Sequence, residues 1–372
     1  MQILPKSGTL GAINMITELM NWFTINQRPM PWRTFPSPYW VWISEAMLQQ
    51  TQVATVIPYF YRFVEQFPDI ETLAAADSQA VLKVWEGLGY YSRARNLHRA
   101  AARIVADWGG GIPSDYDTLQ KLPGFGPYIA AAVASIAFEV PVPVVDGNVL
   151  RVFARYWGLP DDIRATKVRN DVFDRLTPLV AMAPPSQFNQ AIMELGALVC
   201  TPKNPNCTQC PLATDCVALR THRVAELPFK STKPPVPHYT IGVGVIWKDG
   251  KILIGRRRDD QMLGGLWEFP GGKQEGEESI QETISREIAE ELGIQVKIGG
   301  CITVVKHAYT HFKITLHAYN CDWVAGVPVP QSAAELRWVD IDTLSDHPFP
   351  KANGRVIEAI KIQAGQLLEE RR

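Results

Sequence analysis

No apolar run in the sequence is long enough to cross a bilayer. The most hydrophobic stretch, Ile129 to Phe138, is alanine-rich and stops at Glu139, well short of the ~20 residues a spanning helix needs. A secretory leader is not expected either, because Asn14, Thr17 and Glu18 interrupt the hydrophobic residues near the N-terminus and no basic segment precedes them. Six cysteines in 372 residues are too few for a disulfide scaffold. Charge of one sign is missing too: 37 lysines and arginines meet 38 aspartates and glutamates, a net of -1. Bulk charge therefore predicts no polybasic surface, and a nucleic-acid partner has to be argued from local patterns. No membrane contact is expected, and a monomer is.

What is present suffices for two domains, since 46% of the residues are hydrophobic and the chain exceeds one typical core. From Ile13 to Leu219 apolar residues recur at helical spacing, as in Val53, Val56, Phe60 and Phe63, so this half reads as all α. A lysine- and proline-rich segment, 227–238, reads as an extended linker. Beyond it, β-branched and aromatic runs at Tyr239 to Trp247, Lys251 to Gly255, Gln295 to Lys306 and Phe312 to Trp323 predict strands around one helix, Ser279 to Leu292. The expected domains are 1–226 and 239–372, the second α+β.

Four of the cysteines, Cys200, Cys207, Cys210 and Cys216, fall in one loop with the spacing C-x6-C-x2-C-x5-C. Clustered thiolates mean metal. The spacing favours an iron-sulfur cluster; zinc also takes four thiolates, but its ribbons usually present two C-x2-C knuckles and only Cys207 and Cys210 have that spacing. Cys301 and Cys321 sit in predicted strands as ordinary buried residues.

Leu122-Pro123-Gly124-Phe125-Gly126-Pro127-Tyr128 opens the small-residue helix that follows it. Such a Gly-x-Gly turn aims bare backbone N–H groups at an anion, and with Gly124 and Gly126 so placed it is the hairpin of a helix-hairpin-helix DNA-binding motif. Arg95, Arg99 and Arg103 repeat every four residues behind Tyr90, Tyr91 and Arg93, a stripe that reads either as a solvated helix face or, beside the clamp, as a DNA-facing surface.

Two acids stand out. Glu45 follows Trp40-Val41-Trp42-Ile43-Ser44 and shares a predicted helix face with Gln49 and Gln52; Ser44 is a candidate cap, which would give Glu45 an electrostatic reason to sit in a first turn. Asp146, in Val144-Val145-Asp146-Gly147-Asn148, reads as the N-cap of the next helix, a position that would keep it ionised and oriented.

Trp42 to Val53, the hairpin, Val145 to Val149 and the cysteine loop together resemble the adenine DNA glycosylases of the MutY type, within the endonuclease III superfamily. The resemblance implies an all-α helix-hairpin-helix glycosylase domain with a 4Fe–4S loop at 200–216, then a Nudix-like α+β domain. It implies a monofunctional enzyme of base excision repair, because Tyr128 stands where bifunctional relatives carry a lysine nucleophile. Its substrate would be double-stranded DNA with adenine opposite 8-oxoguanine or guanine; a bacterial cytoplasm or nucleoid is expected separately, from the want of a recognisable targeting segment. Carried over residue by residue, Glu45 donates a proton to adenine N7, Asp146 stabilises the sugar cation or bonds to it transiently, and Tyr128 and Asn148 orient the aspartate and a water. Arg28, Trp32 and Arg33 shape the adenine pocket, while Gln50 and Tyr90, with Arg93, Gly124 and Gly126, contact DNA.

The second domain carries Gly272-x5-Glu278-x7-Arg286-Glu287-Ile288-x-Glu290-Glu291-x-Gly293-Ile294, every fixed position of the Nudix signature. Glu287, Glu290 and Glu291 could hold Mg2+ on one helix face, which leaves open hydrolysis of oxidised nucleoside triphosphates. In relatives this domain resembles MutT but reads the base opposite adenine. Here Tyr309-Thr310-His311 stands where they commonly have Phe-Ser-His, so Thr310 keeps a hydroxyl and Tyr309 a wedge. A thymine or uracil mismatch glycosylase is the rival reading, sharing the hairpin, Asp146 and the cysteines but not the surroundings of Glu45.

Overall fold

The computed structural model describes residues 6–232 and 234–369. Its contacts divide the chain into two compact units, Met1–Ala75 with Arg99–Lys233, and Ala76–His98 with Pro234–Arg372. No helix among the described residues is long and apolar enough to cross a membrane.

In the first unit the described secondary structure is helical. Local chemistry sets where the helices begin. Ser37 caps Pro38–Leu48, its hydroxyl accepting the Trp40 N–H, and Pro38 occupies the position where a missing N–H costs nothing. Pro127–Phe138 starts the same way behind Gly126, and Pro185–Leu198 also begins on proline. Asp146 caps Gly147–Tyr156 by accepting the Val149 N–H at 2.7 Å, a cap of about 1 kcal/mol. The helices Gly147–Tyr156 and Pro185–Leu198 share one core with Lys6–Asn26, in which Leu19, Phe23, Val149, Phe153, Phe188 and Leu195 are enclosed. Each such side chain contributes about 1.5–3 kcal/mol.

The helix carrying Glu45 departs from the sequence reading. It starts at Pro38, so Ser44 lies in its interior and donates to the Val41 carbonyl, and Glu45 is in the third turn rather than the first. The helix also stops at Leu48. Gln49 leaves it with ψ 112 and Gln50 turns to φ 58, so neither Gln49 nor Gln52 continues the Glu45 face.

The second unit is built on one sheet of seven strands: β1 (His238–Lys248), β2 (Lys251–Arg257), β3 (Trp267–Glu268), β4 (Gly271–Lys273), β5 (Gln295–Ala308), β6 (Lys313–Ala325) and β7 (Ala333–Val339). The main order is β3-β2-β1-β6-β5, with β4 on β1 and β7 on β2. The pair β1 and β6 is parallel, with Ile241 opposite Leu316; the others are antiparallel. The period of two sends alternate residues to opposite faces. Val243 and Val245 join Val356 and Ile360 of the helix Lys351–Glu369, whereas Ile246 joins Ile284 and Ile288 of Ile280–Leu292. Glycine lets the latter helix lie close: a Cβ at Gly244 would come within 2.7 Å of Ile288. A capping box between Ser279 and Glu282 starts that helix and Gly293 at φ 67 ends it.

The segment 76–98 packs with this sheet. Gln79 accepts from the buried Trp267 Nε1 at 2.8 Å and donates to the Gly265 carbonyl at 3.0 Å, and Glu86 accepts the Phe349 N–H at 2.8 Å. Helical periodicity shows that a segment has an apolar face and not which body that face meets. Part of the presumed linker is also fixed, Ser231 donating to Asp162 at 2.6 Å. Cys321 is buried as expected, but Cys301 is exposed, since β5 is an edge strand with one face to solvent.

Candidate active site

Glu45, Tyr128, Asp146 and Asn148, together with Arg28, Trp32 and Arg33, line a single pocket of about 850 Å³ in the first unit. Glu45 is 5% exposed, and its Oε2 accepts from the Tyr128 hydroxyl. Burial pushes its carboxyl up to about 7; the Tyr128 bond opposes this, the charge of Asp146 adds to it, and Arg33 opposes it. Asp146 is also raised by burial, but it collects more that favours the anion: the N–H groups of Val149 and Asn148, the Arg151 charge, and the Asn148 amide at 2.9 Å. Two carboxyls in one pocket thus differ in surroundings, one held mainly by apolar walls and the other by a helix start. Such a pair can set a proton donor beside a carboxyl that collects hydrogen-bond donors.

Tyr128 is bonded to Glu45, where the sequence reading paired it with the aspartate. Asn148 does reach Asp146, and it is held in turn by Arg151, whose Nη2 donates to Asn148 Oδ1 at 2.7 Å while its Nε donates to the Cys200 carbonyl at 2.7 Å. The cysteine loop and the aspartate are therefore joined through two side chains. Sequence reasoning missed Arg151, and it missed Glu194. Glu194 accepts from the backbone N–H of Arg28 (2.9 Å), from its guanidinium (2.8 and 3.0 Å) and from Arg33 (3.1 Å). Burial pushes its carboxyl up, but these donors outweigh burial and hold it low. The visible signal was a lone acid among Ala191, Ile192 and Leu195, a stripe otherwise meant for a core.

The hairpin has the expected form. Gly124 takes φ 77, which favours glycine, Gly126 precedes the helix, and both are exposed. Gln50 and Tyr90 both have positive φ. Arg93 does not present charge to solvent. It is 8% exposed, donates to the Gly89 carbonyl at 3.0 Å, lies 5.3 Å from the rings of Trp85 and Tyr90, and is lowered by burial to about 10. The glycine turn leaves carbonyls that need donors, and Arg93 supplies them. Of the arginine stripe, Arg99 and Arg103 are exposed, whereas Arg95 donates to the Gly264 carbonyl.

In the second unit Tyr90, Tyr309, Thr310 and His311 line one pocket of about 470 Å³. The Thr310 and Tyr90 hydroxyls are hydrogen-bonded. Tyr309 is drawn inward, stacked on Phe312 at 4.7 Å and edge-on to His307 at 4.6 Å, so its ring is not a free wedge; His311 is exposed.

The carboxylates expected to hold Mg2+ are drawn apart. Arg286 takes Glu287 at 3.0 Å and Glu290 at 3.2 Å, while Glu291 accepts the Ser332 hydroxyl at 2.9 Å and the Gly271 N–H at 3.2 Å. The four cysteines line one narrow cavity with Val152, Arg155, Val199 and Leu212. Burial raises Cys207, Cys216 and Cys210, the last to about 12. Among the described residues no three His, Cys, Asp or Glu side chains converge closely enough for a single ion.

Residues 43–178 match the HhH-GPD superfamily of base excision DNA repair proteins, and residues 242–359 match the NUDIX domain. The chain is 36% identical to an adenine DNA glycosylase of Mus musculus, covering 87% of this chain and 73% of that protein. It is 30% identical to one of Buchnera aphidicola subsp. Schizaphis graminum, covering 92% and 97%. A solved thermostable thymine-DNA glycosylase superposes with a TM-score of 0.53 at 24% identity, covering 58% of this chain and 100% of that one, which shows the shared helical fold.

Proposed function

Since the chain belongs to the adenine DNA glycosylase family, and is thereby a DNA glycosylase, we propose that its substrate is adenine paired with 8-oxoguanine or guanine in duplex DNA. The observation that carries this reading is the buried carboxyl of Glu45, poised at about 7 in the same pocket as Asp146.

Adenine is turned out of the stack into the pocket, at a cost of a few kcal/mol. Glu45 gives its proton to N7 as the bond from N9 to C1′ breaks, and the bonding electrons leave with the neutral base. Asp146, held as an anion by the helix start and Asn148, faces the positive charge left on the sugar. A water adds its oxygen to C1′ and returns a proton to Glu45. Tyr128 offers no amine, so no Schiff base forms and the strand stays intact. Arg28 and Arg33, locked on Glu194, fix the wall against which the base rests.

The cysteine cavity supports a 4Fe–4S cluster over a single zinc. Among the described residues, four thiols and no histidine or carboxylate line one cavity, a donor set that suits such a cluster. Cys200, Cys207, Cys210 and Cys216 would hold it, and when bound it supplies one-electron chemistry and ties the loop together. In the second unit, Thr310 and Tyr90 are the groups that would read the base opposite adenine.

Single-turnover excision on duplexes with adenine opposite 8-oxoguanine, adenine opposite guanine, and thymine or uracil opposite guanine tests the substrate. Adenine release with strand breaks appearing only after alkali is expected; release of thymine or uracil would overturn the assignment.

A further inference from the structure

We propose that Arg155 is a positioning residue for the cluster, fixing a positive charge against Cys200 and thereby raising the cluster's one-electron potential. The inference rests on the reading of the four cysteines as cluster ligands.

Arg155 lies near the end of Gly147–Tyr156 and is 3% exposed. Its Nη1 donates to Cys200 Sγ at 3.3 Å and to the Thr201 carbonyl at 2.7 Å, its Nε to the Leu227 carbonyl at 2.7 Å, and its Nη2 to the Pro202 carbonyl at 3.3 Å. None of these partners is a carboxylate. A buried guanidinium without a counter-anion is unfavourable, so the anion must come from what it faces, which is the thiolate loop. The three carbonyls lock the guanidinium plane and keep its charge on the sulfur.

Arg151 makes the contrast. Its donors go to the Cys200 and Gly196 carbonyls and to Asn148, toward Asp146. Arg155 alone of the two is bonded to sulfur. Hydrogen bonds to ligating sulfurs and local charge set the potentials of such clusters, and a fixed cation favours the electron-richer state. Loss of one electron, with no proton moved, is therefore harder with Arg155 in place.

Film voltammetry on the full chain bound to duplex DNA, with iron measured in each sample, tests this in Arg155→Gln and Arg155→Lys. In an iron-replete Arg155→Gln protein, loss of a charge-assisted bond should lower the potential, displacing the oxidation equilibrium about tenfold, which is about 59 mV for one electron. Arg155→Lys keeps the charge and should shift by less than half as much. An unchanged potential in Arg155→Gln with iron retained, or equal shifts in both variants, overturns the inference. If Arg155→Gln does not keep its iron, the lysine variant decides: a potential near the parent's supports the role of charge, and the full tenfold displacement overturns it. A parent protein without iron would instead overturn the ligand reading, and the inference with it.

Discussion

The Tyr128 hydroxyl donates to Oε2 of Glu45 from the helix that the glycine hairpin opens. A donor on a carboxylate favours the anion, so Tyr128 holds the Glu45 carboxyl lower than burial alone would. Tyr128→Phe should therefore move the alkaline limb of the excision rate upward, by about one pH unit for a hydrogen bond to a charged group. Single-turnover rates across the pH range check this; a lower rate with an unmoved limb would mean that Tyr128 acts on Asp146 instead.

Glu45 itself gives a second prediction. A proton donor at about 7 is protonated well below that pH and loses its proton through it, so the excision rate should fall as pH rises through about 7. Glu45→Gln should abolish excision and leave duplex binding in place, as read by gel shift.

Stability is linked to the same group. The folded carboxyl titrates at about 7 against an ordinary 4.5, so folding holds a proton that the unfolded chain releases. Stability is then undiminished below about 4.5, declines between about 4.5 and 7, and stays reduced above, by about 3 kcal/mol. Relative to the parent, Glu45→Gln should gain stability in urea titrations as pH rises across that window. A constant difference would contradict the buried, protonated carboxyl.

Glu194→Gln should leave Arg28 and Arg33 without their anion. We expect a loss of about 2 kcal/mol, less than for a fully enclosed pair because Arg28 keeps contact with water, together with weaker excision. Urea unfolding beside excision kinetics measures both.

Arg93 distinguishes scaffold from surface. Because it is buried on the turn carbonyls, Arg93→Gln should lower the unfolding midpoint without changing the salt dependence of DNA binding. If it neutralised a phosphate, the slope of log K against log salt would drop by about 1.

Much of this was legible in the residues. Asp146 as a cap, the hairpin, the strands around β1 and the helix behind Ser279 follow from short-range rules that the chain obeys. The Glu45 helix was misplaced at both ends for a local reason. Ser37-Pro38 is itself a start signal, and Ser44 offered a competing one nearer the acid. Arg93 and Glu194 were not legible as what they are, because a charged residue is read by default as solvated, and only tertiary packing shows that each meets partners inside. Tyr128 was paired with the aspartate rather than with Glu45, since nothing local says which of two carboxyls its hydroxyl meets.

The pairing of 76–98 with 234–372 has a consequence for biosynthesis. The acceptors and donors that Gln79 and Glu86 need, at Gly265, Trp267 and Phe349, are translated only after all of 99–233. Those early residues must wait on the ribosome for their partners, and closing so long a loop is slow. The helical unit is the part that can fold while synthesis continues, and a chain cut short near 233 would leave 76–98 stranded.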